Sequence, residues 1–347
     1  MLKQKISRRY FQGRITDNAK WQQKLETICH KWLVKTPTLS ASDDGKKHRK
    51  KSIQVWQTGS LIQALRECSG DSAVLENAAT IHREFDTDSI RDADYGLLCF
   101  SLSGFSEFES LQSAMLQYVE ENQAESGLIR YKTAVKSTVF VDTLGFVCPF
   151  LTEYGISHNR PALIDLAKKQ IEFYLANGAE PHSGLPFHAF ELEHGTLRGI
   201  CDWARGLAWL LIALMDSYLC LRAAGKSDAF YEEKIRFYAD LLLALQKSSG
   251  AYSWMLLSSQ QPSDSSATAV FGWFLACTHE IFQNEAYLTA AKKCRDYLKS
   301  VTFSDGSVDY CQGDTISVGL YSRSFGKMPF AQGFALRMQV RLKQYDA

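Results

Sequence analysis

The chain has 347 residues, 46% hydrophobic and 22% charged, enough apolar material to bury one large core or two modest ones. Its formal net charge of +1 leaves no overall field to attract nucleic acid or an anionic membrane surface, so neither is expected as a partner.

At the N-terminus, residues 1–16 read as an extension to a single domain spanning 1–347. Ser7-Arg8-Arg9-Tyr10-Phe11 has the outline of a twin-arginine export signal, but the residues that follow supply no apolar run. No stretch approaches the ~20 apolar residues of a membrane span, since even 207–223 is interrupted by Asp216 and Ser217. A cytoplasmic protein is expected. Lys46-Lys47-His48-Arg49-Lys50-Lys51 reads as a solvated loop.

Apolar residues then recur at helical spacing over 17–35, 53–67, 73–84, 91–103, 106–122, 138–155, 160–177, 201–224, 227–248, 264–282, 286–300 and 329–344. Asp17, Thr138 and Ser227 stand at starts, and Gly104, Gly155 and Gly225 at ends. Strand-like alternation is scarce. About a dozen helices without a linker predict an all-α domain of successive hairpins. Four connections are long and rich in Gly, aromatic and polar residues: 123–137, 178–200, 249–263 and 302–328. Gathered at one end of a closed ring they would wall a pocket, and the absence of a regular repeat favours such a ring over an open solenoid. An (α/α)6 barrel, a six-hairpin toroid, fits the count. The nine cysteines are scattered through apolar stretches without a CxxC pair and read as reduced, buried thiols.

Several segments carry possible chemistry. Trp203-Ala-Arg205-Gly-Leu-Ala-Trp209 places Arg205 and Trp209 at i and i+4, so a cation and an indole emerge side by side. That pair suits a sugar, whose C–H faces stack on indole while its hydroxyls or carboxylate accept from guanidinium. Alternatively the tryptophans are core and Arg205 snorkels or pairs with Asp202 or Asp216. Asp142 stands among apolar residues near a helix start, where desolvation would raise its pKa and the helix dipole would lower it. It is either a general acid and base or a structural cap. His188, embedded among aromatics, is either a pocket ligand or a core histidine. Asp86, Asp88, Asp92 and Asp94 match no EF-hand register, and one of them, taken as Asp88, is expected to point into the pocket. Asp264–Phe271, Asp309–Asp314 and Tyr321–Gly326 complete a pocket rim or serve as caps and turns. His182, His188, His194, Glu191 and Glu193 fit no zinc template, and no metal or cofactor is expected. Phosphate-loop, dinucleotide, nucleophile-elbow and zinc-protease signatures are all missing.

Phe140-Val-Asp142-Thr-Leu with Pro149-Phe-Leu151, Ser183-Gly-Leu185 before His188, Trp203-x-Arg205-Gly-x-x-Trp209 and Ser266–Phe271 together resemble glycoside hydrolase families 88 and 105. These are the unsaturated glucuronyl and unsaturated rhamnogalacturonyl hydrolases. The order and spacing follow those families from about residue 50 onward, and the resemblance implies the same toroid. It further implies a substrate with a 4,5-unsaturated uronic acid at its non-reducing end, whose vinyl ether is hydrated instead of being displaced at the anomeric carbon. Asp142 would be the proton carrier and Asp88 its neighbouring acid. His188, Arg205, Trp209, Trp203, Tyr131 and Lys132 would line the sugar subsite. Tyr131-Lys132 stands where those families often have a histidine before the lysine, and Ala208 where a glycine usually precedes the second tryptophan. A small oligosaccharide is then the expected partner of a monomer or homodimer. A sugar epimerase of the same toroid and a non-catalytic carbohydrate-binding relative are the alternatives.

Overall fold

The computed structural model describes residues 15–34, 50–85, 90–135, 137–315 and 317–346. Within them lie α1 (Asn18–Val34), α2 (Lys50–Ser69), α3 (Ser72–Glu84), α4 (Tyr95–Ser101), α5 (Glu109–Glu121) and α6 (Val141–Ser157). They are followed by α7 (Pro161–Asn177), α8 (Ala204–Ala223), α9 (Ala229–Leu245), α10 (Ser265–Phe282), α11 (Glu285–Ser300) and α12 (Pro329–Leu342). The even-numbered helices form a closed inner ring. Each packs on the next, from α2 through α4, α6, α8 and α10 to α12, which returns to α2. The odd-numbered helices lie outside them: α7 covers α6, for example, and α11 covers α10 and α12. This is the expected (α/α)6 toroid.

Hydrophobic patterning sorts the two rings. In α10 every residue from Ser265 to His279 is buried, as suits a helix surrounded by other helices. In α11 burial is confined largely to a stripe through Tyr287, Leu288, Ala291, Cys294 and Leu298, leaving a wet face. The inner helix α8 is long and apolar enough to cross a membrane by composition, although Asp216 had argued against such a stretch. In the fold it is buried by its neighbours, and Asp216 pairs with Arg337 of α12. Where α6 and α8 cross, a side chain at Gly145 would bring its Cβ within 2.8 Å of the Trp209 carbonyl oxygen, so only glycine permits this approach.

Helix ends follow local chemistry. The Asp17 carboxylate accepts from the Lys20 backbone N–H, and Gly225, at φ 71°, closes α8 in the left-handed region. Three expectations need correction. Asp228, not Ser227, caps α9 by accepting from the Phe230 N–H, because its carboxylate is the group in reach. Gly155 lies inside α6, which runs on to Ser157. Thr138 begins a strand and not a helix.

That strand, β1 (Thr138–Phe140), pairs antiparallel with β2 (Ala189–Glu191), which pairs with β3 (Thr196–Arg198). A second small sheet joins β4 (Cys311–Gln312) to β5 (Phe325–Gly326). The strands β2 to β5 arise from the long connections, and β1 follows directly on one of them. All nine cysteines are free, and six are buried.

Candidate active site

Three inner helices, α4, α6 and α8, begin near one another, and the long connections rise around those beginnings. Between them opens a cavity of about 300 Å³, at the lower end of small-molecule sites. Connection 123–137 contributes Tyr131, Lys132 and Val135, connection 178–200 contributes His188, and connection 302–328 contributes Asp314, Thr315, Ser317 and Val318. Connection 249–263 does not line it. Its backbone instead fixes the entry to α8, with the Ala204 N–H donating to the Trp254 carbonyl (2.9 Å) and the Leu256 N–H to the Asp202 carbonyl (2.7 Å).

The β1–β2 ladder explains how residues far apart in sequence meet. Phe140 pairs with Ala189, and one step on, the Val141 N–H donates to the His188 carbonyl (3.0 Å). The ladder thus seats His188 beside Asp142 in the first turn of α6. His188 Nε2 lies 3.5 Å from Asp142 Oδ2. Burial, reinforced by the Arg205 charge, pushes the imidazole down to about 4, so it is neutral near pH 7.

The Asp142 side chain retains 19% exposure and lines the cavity. Desolvation raises its carboxyl to about 7 against the lowering effects of a backbone hydrogen bond, the Arg205 charge and the Trp209 indole, while Asp314 adds repulsion. Its Oδ2 has no hydrogen-bond partner among the described residues.

Arg205 pairs with neither Asp202 nor Asp216. Its Nη1 and Nη2 donate to the carbonyls of Gln312 and Gly313, both at 2.7 Å, which leaves N–H groups for a ligand. The guanidinium is buried and lies over the Trp203 ring at 5.4 Å. Trp203 donates from Nε1 to Gln312 Oε1 (3.0 Å), and its ring sits 4.6 Å from that of His188. Trp209, one turn after Arg205, packs on Phe146 at 4.5 Å, Phe330 at 4.8 Å and Trp56 at 5.4 Å while reaching the cavity.

On the opposite wall Tyr131 Oη donates to Asp94 Oδ1 at 2.6 Å, and Lys132 Nζ stands 5.0 Å from the Tyr131 ring centroid. Asp94 directly precedes α4 and is buried. Desolvation and the neighbouring Asp92 raise its carboxyl well above the usual range, against the Tyr131 hydrogen bond and Lys132.

The structure therefore brings together Asp142, His188, Arg205, Trp209, Trp203, Tyr131 and Lys132. Asp88 lies outside the described residues. Sequence reasoning missed Asp94 and Trp56 as lining residues, whereas Asp314 belongs to the 309–314 segment it offered as a pocket rim. The acidic stretch was the right place to look, and the signal for Asp94 was its position immediately before the apolar run Tyr95–Phe100. Asp264, by contrast, is a cap: it accepts from the Ser266 N–H (3.0 Å), the Ala267 N–H (3.3 Å) and the Gln312 N–H (2.9 Å). Ligand-type atoms of Glu191, Glu193 and His194 lie within 4.8 Å of one another. Both Glu191 oxygens already accept from that turn, from the Glu193 N–H at 3.0 Å and the His194 N–H at 3.2 Å, and none of the three lines the cavity.

Three comparisons bear on this geometry. The fold is similar to the crystal structure of a possible member of the GH105 family from Salmonella enterica serovar Paratyphi A. The TM-score is 0.78 at 18% identity, over 96% of each chain. It is also similar to an unsaturated glucuronyl hydrolase specific for heparin, with TM-score 0.74 and 18% identity over 94% of this chain and 97% of that one. Among curated proteins, Protein Atu3128 of Agrobacterium fabrum is 29% identical over 139 residues, which are 37% of this chain and 58% of that protein. The match thus spans little more than half the length of that relative. The Glycosyl Hydrolase Family 88 model matches residues 60–342, nearly the whole described ring, and the chain belongs to that family.

Proposed function

We propose that the protein hydrolyses small oligosaccharides carrying a 4,5-unsaturated uronic acid at the non-reducing end, by hydrating the vinyl ether. The observation that carries this reading is Asp142: a carboxyl with no cation paired to it, titrating near neutrality, in a cavity shared with a second raised carboxyl. An acid poised at about 7 gives and takes back a proton with similar ease.

In this reaction Asp142 delivers its proton to C4 and positive charge develops at C5. Water adds at C5 and gives its proton to the Asp142 carboxylate, which restores the acid. The hemiketal then opens, and the second sugar leaves with its oxygen. One residue serves both steps, so the separation rule for paired glycosidase carboxylates has no bearing. Asp94, held by Tyr131, takes the part of the neighbouring acid that the sequence had assigned to Asp88. Its own raised carboxyl shares the cavity with Asp142, while the charge that adds to the rise of Asp142 is that of Asp314. Arg205 and Lys132 meet the sugar's carboxylate and hydroxyls, Trp209 and Trp203 shape its apolar wall, and His188 donates to it or to Asp142.

Among the described residues His188 is the one histidine lining the cavity, and its low pKa makes it a poor proton carrier at pH 7, which counts against an epimerase. The deciding experiment offers a panel of lyase-generated disaccharides and follows the ultraviolet band of the conjugated carboxylate together with released sugar. Hydration removes the band in step with release. Release with the band intact, or no turnover at high enzyme concentration, would overturn the proposal.

A further inference from the structure

The loop before α12 carries Tyr321, whose hydroxyl meets His188 Nδ1 at 3.1 Å. The same oxygen accepts from the Ile200 backbone N–H at 3.1 Å. A phenol oxygen has two lone pairs and one proton. One lone pair is conjugated into the ring and the other takes the Ile200 N–H, so the capacity left is to donate, and the acceptor that faces it is Nδ1. Burial pushes the phenol up to about 12, so the proton is present at any working pH. A neutral imidazole that accepts at Nδ1 carries its hydrogen at Nε2. Nε2 is the nitrogen 3.5 Å from Asp142 Oδ2.

We infer that Tyr321 is a positioning residue that locks His188 in the Nε2–H tautomer, so that the imidazole presents a hydrogen-bond donor, and not a base, to Asp142 and the cavity. The backbone is shaped for this contact. Gly199 has φ 80°, and a Cβ there would fall 2.6 Å from Tyr321 Oη and 2.7 Å from His188 Cβ. A side chain at 199 would therefore wedge apart the pair that sets the tautomer. The consequence for Asp142 is directional: Nε2–H stands 3.5 Å from Oδ2 without bonding it, and closing that gap would make Oδ2 the acceptor and leave the acid proton on Oδ1. His188 acts by orienting the acid and the bound sugar, and proton transfer stays with the carboxyl.

The tautomer is independent of any substrate, whereas its effect on turnover rests on the proposed hydration. The test is long-range proton–nitrogen NMR on the full chain labelled with 15N-histidine, with the His188 signals identified by their loss in His188→Asn. The expected pattern in the parent is protonated Nε2 and unprotonated Nδ1. Protonated Nδ1 in the parent would overturn the inference outright, whatever the substrate proves to be. In Tyr321→Phe, which keeps the ring and removes the donor, the two tautomers should mix. Retention of pure Nε2–H in a variant whose circular dichroism matches the parent would also overturn it. On a turned-over disaccharide, kcat should fall about tenfold, the worth of one hydrogen bond, while KM changes little. A rise in KM alone would show Tyr321 to be a wall of the subsite instead.

Discussion

The two ends of the helical ring use the same ingredients to opposite effect. At the end away from the cavity, Asp216 of α8 is clamped by Arg337 of α12 through bonds of 2.5 and 3.1 Å. Arg337 also holds Glu67 of α2, where burial alone would raise the carboxyl and the guanidiniums of Arg337 and Arg341 override it, leaving it below the usual range. This network ties the last inner helix to the first and to the middle of the ring. At the cavity end a buried arginine and a buried aspartate again lie near each other, on α8 and α6. There Arg205 turns its N–H groups to the carbonyls of Gln312 and Gly313, and Asp142 is left without a cation. Burial raises both aspartates, but at Asp216 the paired Arg337 guanidinium opposes it and closes the ring, whereas Asp142 has no such partner and is raised to about 7. Pairing separates a structural acid from a reactive one, although both sit on apolar helices.

The sharpest way to break this contrast is Asp142→Asn, which should lower turnover by ~10³-fold or more while the fold and the sugar affinity persist. Next in size, truncating Asp216 to Ala should leave the buried Arg337 with Glu67 but without its second carboxylate and cost about 3 kcal/mol in denaturant unfolding, with activity of the folded fraction unchanged. Asp142→Asn should have the reverse effect on stability. A carboxyl raised to about 7 in the folded chain favours folding only while protonated, so the parent loses stability between the unfolded value near 4 and about 7. Above pH 7 the Asn variant should therefore be the more stable by about 4 kcal/mol, and below pH 4 the two should converge. If both aspartates proved equally stabilising at pH 8, the distinction between the two ends would collapse.

In the pH profile, kcat/KM should hold steady below about 7 and fall about tenfold per unit above it, because the acid must be protonated to act. Smaller still, Asp94→Asn should slow turnover by roughly tenfold, by replacing the neighbouring acid that Tyr131 holds. Asp88→Asn serves as the comparison: if it has the larger effect, the second carboxylate has been misassigned.

The ring itself was legible in the sequence because twelve apolar stripes at helical spacing, broken by caps, leave few other ways to bury themselves. The Trp203–Trp209 segment announced a cation beside an indole, and the structure turns both to the cavity. Its sequence could not show that Arg205 also holds the loop bearing Asp314. An Arg205→Ala change thus loosens a wall of the cavity as well as removing a ligand, and reduced affinity would not isolate its contact with the sugar. Asp94 was obscured because the helical pattern was started at 91, inside the acidic stretch. The real helix α4 is only seven residues long and begins at Tyr95, which places Asp94 at its mouth. The partnership of Asp142 with His188 and Tyr321 depends on a three-residue strand and a loop from the far end of the chain, and such pairings leave no periodic trace.

One measurement goes straight to the chemistry: turnover of an unsaturated disaccharide in deuterium oxide, read by NMR at early time. Hydration by Asp142 predicts one deuterium at C4, added from one face, and its loss in Asp142→Asn. A released uronic acid that still carries its double bond, or equal labelling by the Asn variant, would contradict the role assigned to that carboxyl.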